Sequence, residues 1–524
     1  MRATPPPFPH RSEWGHTMHR SFVVLSVASA FAFATSAHAV DLIFADAFDF
    51  HDFPADPIID AGAPADSATL FGGSNSGAPN GGPCLADPQI GTLFPNNWLR
   101  PRFTWLPSGG ENLFELRLTA QNQGHALLVY TTASSWTMPA EIWSALSQHT
   151  VDRAITVTVR GATYASGSLT SGPETGSSGA VRIAPVSAAG AIVYWTNTSG
   201  GMLMRGFRIG DENLKDLFAP ADTGAGCFGC HTGTPDGAYV GFSAGEGGGA
   251  GLALLSADGQ HLTPSFISSS AQTLMARPDQ DAPAFSAQHW TAGDRIALTM
   301  YQSNIIWTDL EAASAAQGAG WGVLARNGES TNAASASFAH TSDDVVYVST
   351  SDPVATGVTV SNGDIHVVPY NNRAGGTPVT VVATADNEYY PAFSPDDHYI
   401  VYNRVPATGN SYNNSHAEVY VTPATGGLPV RIAGNDPPSC TGQTSPGVTN
   451  SWPKWSPAAS DDGGRRFYWL TFSSTRQGGI TQIYVAPVVD TGGTLTTYPA
   501  LYPWNQAAGD ASHTPAWDNF AIPF

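Results

Sequence analysis

From residue 94 the apolar residues come in short runs separated by turn-forming residues. Arg102 to Trp105, Leu113 to Leu118, Ala126 to Tyr130 and Ile155 to Val159 are each four to six residues long, and several alternate apolar with polar. A period of two marks a strand with one face buried, so the pattern predicts a string of short antiparallel strands. Pro139 to Leu146 predicts a single helical turn between two of them.

After Gly190 the pattern becomes repetitive. Tyr390-Pro391-Ala392-Phe393-Ser394-Pro395-Asp396-Asp397 leads into the apolar run Tyr399 to Tyr402. Weaker copies start at Pro283, Ala336, Pro453 and Pro515, and His231 stands at the same place in a sixth, which continues Thr234-Pro235-Asp236-Gly237. With these six positions aligned, the spacings are 52, 53, 55, 62 and 62 residues. That length suits a four-stranded unit plus loops. The last copy, His513 to Phe520, has an inner strand and no chain left for the outer ones. Ala191 to Trp195 and Met202 to Phe207 are outer strands with no inner one. Joined, they complete a ring, which removes the exposed sheet edge.

The repeat resembles the unit of TolB-like β-propellers, and that resemblance implies six blades closed by the C-terminal strand. The stretch from Phe94 to Arg182 resembles a fibronectin type III β-sandwich. The expected class is therefore all-β, with a signal segment at 1–39, an acidic flexible linker at 40–82, a sandwich at 83–184 and a propeller at 185–524.

Composition agrees with that class. Charged residues are 12%, whereas Gly (55) and Pro (39) are abundant. The net charge of −20 opposes nucleic acid and anionic lipid as partners. Phe22 to Ala34 is an apolar run too short to span a bilayer comfortably; Arg20 precedes it and Ala37-His38-Ala39 follows. It reads as a secretory signal cleaved after Ala39, with Met18 as an alternative start. A periplasmic or secreted monomer without membrane insertion is expected.

There are 4 cysteines. Cys227 and Cys230, followed at once by His231, form C-x-x-C-H. In that pattern two thiols can form thioethers to the vinyl groups of a haem while the adjacent imidazole reaches the iron. The other readings are a redox dithiol, half of a zinc site, or a disulfide between the two. Against a thioredoxin-like dithiol, Gly233, Pro235 and Gly237 follow where a helix should open; against zinc, no second thiol pair lies nearby. The motif resembles that of c-type cytochromes, which implies one covalent haem c on Cys227 and Cys230 with His231 as the proximal iron ligand. Cys84 and Cys440 remain as a pair that an oxidising compartment would join.

The motif falls where an inner strand begins, so the haem is expected at one face, near the mouth of the central channel. For the second axial position the candidates are His513, at the start of the neighbouring inner strand, and Met275, in a loop. Arg277, Asp279 and Asp281 could supply charge beside Met275. An iron with an open position is the alternative.

Three functions follow. The chain is a monohaem electron carrier that meets a redox partner protein or a small donor or acceptor, or a haem oxidoreductase of peroxidase type, or a TolB-like binding module in which haem is structural. No G-x-S-x-G or H-E-x-x-H grouping supports a plain hydrolase.

Overall fold

Residues 52–245, 250–278, 280–351, 360, 362–407 and 413–523 are described by the structure, a computed structural model. The expected signal segment, the first residues of the expected linker and Asp279 lie outside them.

The predicted N-terminal strands are present and form two sheets. One carries Leu113–Ala120 and Ile155–Ala165 at its centre; the other pairs Cys84–Asp87, Arg102–Leu106 and Ser135–Thr137. Ile155, Val157 and Val159 are buried while Thr156 between them is exposed, as a one-sided strand requires. The expected helical turn is a longer helix, Ala140–His149, whose Trp143 and Leu146 are buried against the strands.

The expectation of a flexible linker is corrected over residues 52–82. Phe53 and Phe71 are buried, and Ile58–Ile59 pairs in parallel with Val129 and Tyr130. The physical reason is a buried guanidinium. Arg160 meets Glu115 at 2.5 Å, and its remaining N–H groups donate to the carbonyls of Gly73 and Ser76 at 3.0 and 3.2 Å. A buried cation needs all its donors satisfied, and this chain segment supplies the acceptors.

Beyond residue 190 the described residues form six antiparallel sheets, besides a short parallel pairing of Ala325–Arg326 with Gly375–Gly376, in a β-propeller-type arrangement. Their innermost strands are β1 (Phe228–Gly233), β2 (Asp281–Phe285), β3 (Asn332–Phe338), β4 (Asn387–Phe393), β5 (Asn450–Trp455) and β6 (Ala511–Asp518). Each touches the next, and β6 touches β1. The first sheet has three strands; the sixth is built on β6 from the chain's end and three strands between Ala191 and Phe218.

The six inner strands share one local feature. Cys230, Ala282, Ser335, Tyr390, Trp452 and Thr514 all have φ between 42° and 61°. Each sits immediately before one of the six aligned positions, and the strand pairing slips there in every sheet. A bulge at a fixed point re-aims the strand and turns one side chain toward the centre. Positive φ is costly for residues other than glycine, so its sixfold recurrence marks the geometry of the ring.

Cys84 and Cys440 are joined by a disulfide with Cα atoms 5.9 Å apart. It ties the N-terminal sheets to the loop that enters β5. Arg465 on Asp152, at 2.7 Å, and the Trp504 indole on the Arg100 carbonyl, at 2.6 Å, join the same two regions. Among the described residues no helix is long and apolar enough to cross a membrane.

Candidate functional site

β1 carries the C-x-x-C-H residues, and the end of the chain holds it in place. Phe228 anchors its start, with ring centroids 5.4 Å from Phe218 and 5.9 Å from Phe242. A Cβ on Gly233 would stand 2.8 Å from the Asp518 side chain, and one on Gly237 (φ +70°) only 1.8 Å from the Asn519 carbonyl. Both glycines are therefore required by the close approach of the C-terminal chain. The Gly233 N–H donates to Asp518 at 2.9 Å, and the Ala521 N–H donates to Gly237.

Cys227 and Cys230 are not bridged. Cys227 is half-buried, its sulfur 3.8 Å from the Phe228 carbonyl. Cys230, also half-buried, lines the central channel, and its thiol is held well above the usual range, chiefly by desolvation and then by the Asp281 carboxylate. Asp281 is fixed by the Ser243 hydroxyl and the Ala282 N–H, both at 2.8 Å.

His231 is 4% exposed, and its Nε2 lies 3.0 Å from the Val193 carbonyl in the sixth sheet. A carbonyl can only accept, so Nε2 carries the proton of the neutral ring and Nδ1 is left as an acceptor. That Nδ1 is buried without a hydrogen-bond partner. Burial pulls the His231 pKa down to about 4, and burial together with the neighbouring His231 pulls His513 down to about 3. His513 stacks on Trp195 at 4.2 Å. Two neutral imidazoles thus stand near each other where β6 meets β1.

The structure sets Cys230 beside Asp281 and His513 near His231. It does not bring Met275 there. That residue ends a helix, α1 (Ser269–Met275), rather than lying in a loop, and its side chain is buried with Leu252, Leu254 and Trp290. A thioether at a helix end packs well in such an apolar cluster. Arg277 instead lies over Trp321 at 4.3 Å, a stacking contact.

Do these residues fit a haem? The residue types suit a covalent haem, since two unbridged thiols could take the vinyl groups and a neutral imidazole has an unpartnered nitrogen for the iron. The space does not. The cavity lined by Cys230 and His231 is about 40 Å³. At roughly 10–15 Å³ per water it holds about three waters, whereas pockets for organic ligands run to roughly 300 Å³ or more. As folded here, the segment does not accommodate a tetrapyrrole. Among the described residues, no three His, Cys, Asp or Glu side chains converge as for a bare metal ion.

Two further polar residues at the channel were not singled out from the sequence. Lys454 lines the cavity, and burial pushes its pKa down; Asp518 and Cys230 oppose that shift. Asp518 is pushed up to about 6, chiefly by burial. The signal for Lys454 was available: one residue past the six aligned positions stand Thr232, Ala284, Ser337, Ala392, Lys454 and Ala516. The centre of a ring favours small residues, and the lysine departs from that rule.

No family model matches this chain, and no curated protein does. Among solved structures, a putative TolB from Agrobacterium tumefaciens is similar at 12% identity, covering 62% of this chain and 97% of that one, with a TM-score of 0.33. A hypothetical selenium-binding protein from Sulfolobus tokodaii gives 10% identity, 79% and 96% coverage and 0.32. A puromycin-hydrolysing peptidase of Mycobacterium tuberculosis gives 13%, 58%, 52% and 0.30. The class assigned to this chain, a mostly β protein of β-propeller type, rests on its own six sheets.

Proposed function

We propose that the chain is an exported monohaem c-type protein that transfers electrons, its haem joined to Cys227 and Cys230 with His231 as iron ligand. The same proposal takes the six sheets as a six-bladed TolB-like propeller closed by β6, preceded by a fibronectin III-like sandwich and delivered to the periplasm or outside by the segment ending at Ala39.

One observation carries the reading. Of the four cysteines, Cys84 and Cys440 are joined across 356 residues, while Cys227 and Cys230, three positions apart, are left unbridged beside a neutral imidazole. A chain that oxidises its distant pair and spares its near one keeps the near pair for other chemistry. The cavity of about 40 Å³ that Cys230 and His231 line is too small for a porphyrin. When bound, haem c supplies a one-electron carrier; this chain supplies thiols, a neutral imidazole and a second imidazole at His513.

The test is haem staining of denatured protein matured with a haem-attachment system. The wild type should stain, and Cys227→Ala with Cys230→Ala should not. Staining that survives both substitutions overturns the assignment. A second reading, a haem-free binding module, is favoured by the narrow channel itself. Wild-type protein that never stains would select it.

A further inference from the structure

The chain spends its basic residues unevenly. Of the 22 Lys and Arg, only Lys215 and Lys454 are lysines, and every other one is arginine. Lys215 begins an outer strand of the sixth sheet, Lys215–Phe218. Lys454 stands on β5, at the cavity it shares with Pro283, Ala336, Tyr390, Pro391 and Trp452.

Two buried arginines show how this fold holds a cation that serves structure alone. Arg160 is held by Glu115 and the carbonyls of Gly73 and Ser76, while Arg476 donates to the Gly434 and Asn435 carbonyls at 2.6 and 3.2 Å and to the Asn450 side chain at 2.8 Å. Lys454 has no such set. Among the described residues Asp518 and Cys230 act on its amine through space, and the Asp518 carboxylate is already engaged by the Gly233 N–H at 2.9 Å and the Thr232 hydroxyl at 3.5 Å.

A desolvated amine without an anchoring partner gives up its proton readily, and the neutral amine has the lone pair that attacks carbon. Arginine cannot take this part, because its guanidinium stays charged. We propose that Lys454 is a reactive amine that condenses with a small aldehyde or ketone admitted to the central cavity and forms an imine there. The lone pair adds to the carbonyl carbon, so that a C–N bond forms and the C=O π bond breaks, and one amine proton passes to the oxygen. The C–O bond then breaks, water leaves with the second amine proton, and C=N remains. Nothing is oxidised or reduced. A cavity of about 40 Å³, with room for about three waters, admits a carbonyl compound of about three or four heavy atoms, and its proline and aromatic walls favour an uncharged one. Lys454 is partly exposed, so its amine can be reached. The inference uses neither thiol; it rests on the second reading above, the haem-free binding module, and names the ligand class of that module.

Reductive trapping tests it on protein made without a haem-attachment system. Acetaldehyde, small enough for the cavity, is added with cyanoborohydride at neutral pH, and ethylation of the Lys454 and Lys215 peptides is followed by mass spectrometry. In native protein Lys454 should be ethylated about tenfold faster than Lys215, the gain in neutral amine that one pKa unit gives. In urea the two should react alike. Pyridoxal, too large for the cavity, should mark Lys215 and spare Lys454. A native Lys454 that reacts no faster than Lys215, or that takes pyridoxal as readily as acetaldehyde, overturns the proposal. Either result leaves the binding-module reading standing, since that reading falls to haem staining of the wild type and not to trapping.

Discussion

The first and fourth sheets are built on the same plan and put it to different use. In both, the inner strand bulges at one left-handed residue, Cys230 or Tyr390, and a Pro-Asp turn follows. In both, the turn aspartate reaches the next sheet: Asp236 accepts the Trp290 indole N–H at 2.9 Å, and Asp396 accepts the Tyr468 hydroxyl at 2.6 Å. The difference lies at the bulge. Tyr390 packs at a tilt against Trp452, ring centroids 3.9 Å apart, and lines the channel. Cys230 and His231 place a thiol and a buried imidazole there instead, on a sheet with one strand fewer. The scaffold tolerates reactive side chains at one of six equivalent points because the other bulges, Tyr390 and Trp452 above all, supply the packing.

The sharpest way to break that comparison is to exchange packing for space. Tyr390→Ala should cost about 3–5 kcal/mol in urea unfolding, as for other buried aromatics, while Cys230→Ala should cost about 1 kcal/mol or less. Equal losses would mean that both bulges carry packing load. The loop leaving the fourth sheet is pinned by Cys440, and the loop leaving the first is not. Cys84→Ser with Cys440→Ser should lower stability by about 2–5 kcal/mol. A smaller loss would show that the Arg465–Asp152 and Trp504 contacts hold the two regions without the bridge.

Acid should weaken the first sheet selectively. The folded pKa of His231, about 4, lies below its unfolded value near 6.5, so its stabilising preference for the neutral ring is complete above pH 6.5 and is lost as pH falls toward 4. Asp518 works in the opposite sense: its folded pKa of about 6 lies above the unfolded carboxylate value, so stability from its protonated form is present below about 3.8 and lost as pH rises through 6. The contribution of His231 is isolated by the difference between wild type and His231→Gln. That difference should fall by about 2–3 kcal/mol between pH 6.5 and 4 in haem-free protein. A flat difference would place the imidazole in water. The smallest effect belongs to the shared turn, where Tyr468→Phe should cost about 1–2 kcal/mol for a lost hydrogen bond to a charged group.

Much of this was legible in the chain because it is local. The alternation at Ile155 to Val159, the six aligned positions and the orphan strands at 191–207 all follow from short-range pattern. The aligned positions fall one residue after the six left-handed residues because a proline or its equivalent follows the bulge in every copy, although the bulge itself cannot be seen in the letters. The order at 52–82 is not legible in the sequence because what imposes it is Arg160, more than 80 residues from Gly73 and Ser76, whose buried charge needs their carbonyls. The helix ending at Met275 is not visible in the sequence because the cluster that buries it, Leu252, Leu254 and Trp290 among them, comes from separate segments of the chain.

The sequence by itself determined the β class, the register of the repeat and the presence of two thiols and an imidazole at haem-attachment spacing, since each is a matter of residue type and interval. Only the tertiary structure decided that His231 rests on Val193, that Cys230 faces Asp281 across about 50 residues of chain, and that Asp518 locks Gly233. Those pairings depend on which inner strands become neighbours in space, and that is decided by residues far apart in the chain.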